Sequence, residues 1–147
     1  MTLQAILQAK GSTVHTIDPE ATLADAAQKM VRHNIGSLLV CRPDCVDVQH
    51  LLGIITERDL IHAMVAGKSP PSAFRVSEVM TAKLITGSPD DGVEQVMGLM
   101  TTRRIRHLPV VSEGRVVGMV SIGDVVKAHH DHLAVENRFM KDYIRGS

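Results

Sequence analysis

The feature that most constrains this chain is that it repeats itself. Residues 14–41, VHTIDPEATLADAAQKMVRHNIGSLLVC, align with residues 84–111, LITGSPDDGVEQVMGLMTTRRIRHLPVV, at a shift of 70. Six positions are identical: Thr16/Thr86, Pro19/Pro89, Met30/Met100, Ile35/Ile105, Leu38/Leu108 and Val40/Val110. A second block, GIITERDL at 53–60, matches GMVSIGDV at 118–125 at a shift of 65. The first copy therefore carries five extra residues, within RPDCVDVQHL, which reads as an enlarged hairpin loop. A duplication of this period means one supersecondary unit used twice.

Each copy shows one pattern. A short strand (14–17; 84–86) leads to a turn at Pro19 or Pro89. A helix follows, with Leu23, Ala26, Ala27, Met30 and Val31 in copy one and Val93, Val96, Met97 and Met100 in copy two at one-face spacing. Thr22-x-x-Asp25 and Asp91-x-x-Glu94 are its start signals. Two apolar strands come next, joined in copy two by the turn SEGR, and then a second helix (57–67; 122–130). The expectation is an α/β (α+β) protein of two β-α-β-β-α repeats. One such unit alone is marginal, and two related by a pseudo-two-fold bury each other's faces. The chain divides into an N-terminal segment (1–13), repeat one (14–67), a linker (68–78), repeat two (79–130) and a C-terminal helix (131–147). That last helix places Leu133, Phe139 (or Met140) and Tyr143 on one side, a surface suited to a partner chain.

Composition excludes several classes. The chain has 147 residues, zero formal net charge, one Tyr, two Phe and no Trp. It offers no basic field for nucleic acid or anionic membranes and few rings for stacking bases. No apolar run reaches membrane-spanning length, and MTLQAILQAK lacks a signal pattern, so a cytoplasmic protein is expected. Two cysteines, Cys41 and Cys45, are too few for a disulfide framework.

The motif Gly-apolar-apolar-Thr/Ser-x-x-Asp carries the chemistry. As a strand-to-helix junction, Thr56-x-x-Asp59 and Ser121-x-x-Asp124 are capping boxes with Asp in the Glu/Gln position. The carboxylate also accepts two hydrogen bonds, which suits the paired hydroxyls of a ribose, and free N–H groups at a helix start favour a nearby phosphate. The motif alone leaves both readings open.

The order TIDPEATLADAAQKMVRHNIGSLLV, GIITERDL, VSEVMT, TGSPDDGVEQVMGLMTTRRIRHLPVV and GRVVGMVSIGDVV resembles a cystathionine-β-synthase (CBS) domain pair over about residues 14–130. It looks most like small free-standing bacterial members of that family. The resemblance implies two clefts along a pseudo-two-fold, binding adenosine ligands such as AMP, ADP, ATP, NAD or S-adenosylmethionine, usually in a dimer. Carried onto this sequence, one cleft would have Ser121 and Asp124 on the ribose, Arg58, Arg106 and His107 near phosphates, and Thr16, Ile35 and Met119 at the adenine. The other would have Thr56 and Asp59, with Thr86, Ile105 and Ile54 as base pocket. Copy one has Gly36 and Ser37 where copy two has Arg106 and His107, and copy two has Gly123 where copy one has Arg58, so the clefts are unequal. The Asp124 cleft is expected to be the tighter one.

Weaker clusters are His129 with His132, three apart on a helix, and Cys41-x-x-x-Cys45 with His50. Neither has a full ligand set at zinc-site spacing, so no metal is expected. Ser121 has no activating neighbour in sequence and no Gly-x-Ser-x-Gly elbow, and each Asp belongs to its own cleft, so catalysis is not expected. The expected function is a regulatory sensor that binds an adenosine nucleotide and acts on a further protein. The alternative is a structural homodimer with vestigial clefts.

Overall fold

The computed structural model describes residues 1–43 and 47–146. The element order is α1 (Leu3–Lys10), β1 (Thr16–Ile17), α2 (Leu23–His33), β2 (Ser37–Val40), β3 (Gly53–Thr56), α3 (Glu57–Val65), α4 (Val93–Arg103), β4 (His107–Ser112), β5 (Arg115–Ser121) and α5 (Ile122–Gly146). The chain forms two compact units. One comprises Thr13–Ile85 with Val111–Val117; the other comprises Met1–Ser12, Thr86–Val110 and the chain from Gly118 onward. They are called here the first and second units, after the repeat each contains.

In the first unit β1 runs parallel to β2, and β2 antiparallel to β3. The register aligns Thr16 with Leu39 and Leu39 with Ile54, so these three share one face of the sheet. On the other face Ile17, Leu38, Val40 and Ile55 are buried against Leu23, Ala26 and Met30 of α2 and against Ala63 and Val76. The Thr22/Asp25 box caps α2 as the sequence indicates. Asn34 ends the helix in the left-handed region at φ 52°, which Asn tolerates better than most residues. Val31, one of the stripe residues, is 81% exposed. It lies at the edge of the apolar arc, beyond reach of the sheet.

The second unit repeats this plan with one loss. Residues 84–86 are not a strand; the first-strand ladder shrinks to a bridge between Gly87 and Val110. The sequence gives the reason. In the first unit the Leu39 N–H donates to His15 O at 3.1 Å. The residue matching Leu39 is Pro109, which has no N–H to give. The bond from Gly87 N to Pro109 O, 2.9 Å, remains. The start of α4 also differs, because Gly92 is its cap and Asp91 instead accepts from Ser88 N at 2.8 Å. The β4–β5 turn is as expected, with Glu113 and Gly114 both at positive φ.

The repeat extends further than the sequence comparison found. Leu3 N donates to Asp91 O and Gln4 N to Pro89 O. In the first unit Val76 N donates to Ala21 O and Ser77 N to Pro19 O, at matching positions. The α1 segment thus does for the second repeat what residues 74–81 do for the first. Each packs on the repeat that does not follow it in sequence. Leu3, Ile6 and Leu7 of α1 are buried, worth roughly 1.5–3 kcal/mol each. Finally, residues 122–130 and the expected C-terminal helix form one continuous helix, α5.

Candidate functional site

Both Thr/Ser-x-x-Asp motifs sit where a strand turns into a helix, and both are true capping boxes. In the first unit Asp59 N donates to Thr56 Oγ1 at 3.2 Å, and Asp59 Oδ2 accepts from Thr56 N at 2.9 Å. In the second, Asp124 N donates to Ser121 Oγ at 3.2 Å, and Asp124 Oδ2 accepts from Ser121 N at 2.8 Å. The helix starts are anchored alike: Glu57 N donates to Gly36 O at 3.0 Å, and Ile122 N to Arg106 O at 2.8 Å. Capping occupies Oδ2 in each case. The outer oxygen, Oδ1, keeps acceptor capacity at both sites, since Asp59 Oδ1 takes only a 3.4 Å bond from the Thr81 hydroxyl and Asp124 Oδ1 takes none among the described residues.

The glycine that opens each motif lets a neighbour approach. A methyl on Gly53 would stand 2.5 Å from Thr81 O, and one on Gly118 would stand 2.5 Å from a Leu7 methyl. These two neighbours, residue 81 and α1, also reach the carboxylates. Thr81 pairs with Ile54 through two backbone bonds and offers its hydroxyl to Asp59. In the second unit Lys10, at the end of α1, takes both roles with one side chain. Its Nζ donates to Met119 O, the match of Ile54, at 2.9 Å and to Asp124 Oδ2 at 2.7 Å. Burial pushes the Asp124 carboxyl up, but the hydrogen bonds from Lys10 and Ser121, with the Lys10 charge, outweigh it and hold the group below its usual value. Sequence reading missed Lys10. The signal was present in Leu3, Ile6 and Leu7, an i, i+3, i+4 set that places a helix there.

The remaining expected residues divide between the units. Thr16, Ile35, Ile54, Thr56, Arg58 and Asp59 belong to the first; Thr86, Ile105, Arg106, His107, Met119, Ser121 and Asp124 belong to the second. Arg58 and Arg106 are exposed, and among the described residues neither side chain makes an ion pair. His107 opens β4 and is half-buried. In the first unit His15 stacks on His33 with ring centroids 4.1 Å apart. Burial, then the charges of His33 and Lys29, lower the His15 pKa.

Among the described residues no three His, Cys, Asp or Glu side chains gather to hold a metal ion. His132 pairs with Glu136 at 3.2 Å, and Cys41 is buried. Cys45 lies outside the described residues. Among those described, no helix is long and apolar enough to cross a membrane.

Comparison with known proteins follows the same division. The CBS domain model matches twice, at residues 11–66 and 76–131. A mitochondrial CBS domain-containing protein, CBSX3 of Arabidopsis thaliana, is 38% identical over 99% of this chain and 72% of its own length. The crystal structure of a CBS-domain protein of Agrobacterium tumefaciens is 36% identical, with a TM-score of 0.82 over 88% of this chain and 99% of that one. The CBS domain pair of protein MJ0100, solved with 5′-methylthioadenosine and S-adenosyl-L-methionine, is 27% identical, with a TM-score of 0.76 over 90% and 98%. A hexameric CBS-CP12 protein from bloom-forming cyanobacteria is 31% identical, with a TM-score of 0.73 over 86% and 69%.

Proposed function

The chain belongs to the CBS-domain family as a tandem pair, and from that premise we propose that it is a regulatory sensor of an adenosine nucleotide (AMP, ADP, ATP or NAD). The observation that supports this is the outer carboxylate oxygen of Asp59 and of Asp124, left with acceptor capacity at a helix start in both repeats. A carboxylate in that position accepts a ribose hydroxyl without giving up its cap. The helix N-terminus beside it favours phosphate. A homologous pair holds adenosyl ligands, which supports the same class here. In this reading Thr56 and Asp59, and Ser121 and Asp124, hold the ribose. Arg58, Arg106 and His107 serve the phosphates, and Thr16, Ile35, Ile54, Thr86, Ile105 and Met119 line the base. Each Asp holds its own helix cap, and the role proposed for it is binding rather than catalysis.

Sensing requires only that the ligand bind two arrangements of the protein with different affinity. The output then passes to another protein. The test is a thermal-shift series with AMP, ADP, ATP, NAD and S-adenosylmethionine. A ligand at 100 times its dissociation constant adds about 2.7 kcal/mol, a shift of several degrees. No response to any of the five overturns the reading.

A second copy of this chain is the proposed partner. On α5, Leu133, Phe139, Met140, Tyr143 and Ile144 are all exposed and fall within one half of the helix circumference, opposite Lys127, Arg138, Lys141 and Arg145. Oligomers are known among homologues. Light scattering on Phe139→Glu with Tyr143→Glu should give a monomer where the wild-type chain gives a dimer. A variant that stays dimeric places the interface elsewhere.

A further inference from the structure

We propose that Lys10 is a specificity residue that makes the Ser121–Asp124 half-site select phosphate-bearing adenosine ligands over uncharged ones. The inference rests on the adenosine reading above and deepens it by assigning ligand charge to one half-site. Four observations carry it. First, the two half-sites share their caps and their anchoring bonds, so ligand preference must come from what surrounds them. Second, the same pair of acceptors, a strand carbonyl and the Asp carboxylate, meets the neutral Thr81 in one unit and the Lys10 ammonium in the other. Third, the first turn of α3 carries Glu57, Arg58 and Asp59, two carboxylates to one cation. The first turn of α5 carries Ile122, Gly123 and Asp124, and the carbonyl bonded to its start belongs to Arg106. Lys10 therefore gives the carboxylate of the second half-site one directly bonded cation. Fourth, Lys10 does not block the ribose acceptor. It bonds Oδ2 and leaves Oδ1 without a partner among the described residues.

An ammonium has three N–H donors, and two are used, on Met119 O and Asp124 Oδ2. The third remains for a phosphate oxygen. Without Lys10, Asp124 would stand as a bare negative charge beside an incoming phosphate. With it, the carboxylate is neutralised while still able to accept a hydroxyl. Among the described residues Asp59 has no such counter-ion, and the first half-site suits a neutral or cationic riboside.

The experiment is an NMR titration of the full chain with AMP and separately with adenosine. The Gly123 and Asp124 amides report the second half-site, and the Thr56 and Asp59 amides the first. At the second, wild type should prefer AMP. Lys10→Met should cut that preference about tenfold, by weakening AMP, as loss of one charge-assisted hydrogen bond does. Lys10→Arg should keep most of it, and neither variant should change the ratio at the first half-site. Lys10 is a partly exposed side chain, so both variants should fold. The proposal is overturned if Lys10→Met leaves the ratio unchanged. It is equally overturned if both ligands tighten together, which would make Lys10 a plug. Binding of neither ligand by wild type would bring down the adenosine reading and this inference with it, a result distinct from binding with an unaltered ratio.

Discussion

The two strand-to-helix junctions are built to one plan and finished differently. Both have a glycine, a capping hydroxyl, a capping carboxylate and a carbonyl anchoring the helix start. At the first, a backbone segment lies against Gly53 and presents the neutral Thr81 to Asp59. At the second, a helix lies against Gly118 through Leu7 and presents a charged Lys10 to Asp124. Duplication conserves what the local backbone needs. The surroundings, supplied by other parts of the chain, set the charge.

This contrast gives graded predictions. The largest effect should come from Gly53→Ala. The new methyl meets the Thr81 carbonyl, which is backbone and tied by two bonds to Ile54, so urea unfolding should show a loss of about 2–3 kcal/mol. Gly118→Ala meets first the Leu7 side chain, which can shift more readily than backbone, and should cost about 1–2 kcal/mol. If Gly118→Ala proves the costlier of the two, α1 is held more rigidly than its contacts indicate. Thr56→Ala and Ser121→Ala should each cost about 1 kcal/mol, because the cap geometry is shared. A clear inequality would break the equivalence of the junctions. Lys10→Met should cost less than about 1 kcal/mol, since the ion pair is partly exposed.

The smallest effects are in pH, and they separate the units. Asp124 titrates below its ordinary value of 3.8, so its share of stability is intact above that pH and is lost as pH falls through the folded pKa. Lys10→Met should remove most of this acid dependence. His15 in the first unit also has a lowered pKa, so the unfolded chain takes up its proton first, and stability falls as pH drops below 6.5. His15→Gln should flatten the curve there and leave the acid limb to Asp124. Urea melts of wild type and both variants across pH measure the two limbs.

Much of this was legible in the sequence. The doubled motif predicted both capping boxes, and Glu113-Gly114 predicted the hairpin turn. The stripe Leu23, Ala26 and Met30 predicted the buried face of α2. Three things were hidden for physical reasons. The strand at 84–86 failed because its ladder needed an N–H that Pro109 lacks, a defect seen only once the partner strand is known. The extra repeat segment, TLQAIL against RVSEVM, runs at a shift of 73 rather than 70, and each copy packs on the repeat that does not follow it. Lys10 went unread because a single lysine at a helix end looks like a solvated cation. Only the fold brings it to Asp124, more than a hundred residues away.

Each repeat is proposed to hold one adenosine half-site through its capping Asp. Isothermal titration with AMP on wild type, Asp59→Ala and Asp124→Ala tests it most directly. Wild type should bind saturably, Asp124→Ala should lose the tighter class, and Asp59→Ala should retain it. Affinity unchanged by Asp124→Ala but abolished by Asp59→Ala would contradict the ranking. Binding indifferent to both substitutions would contradict the claim itself.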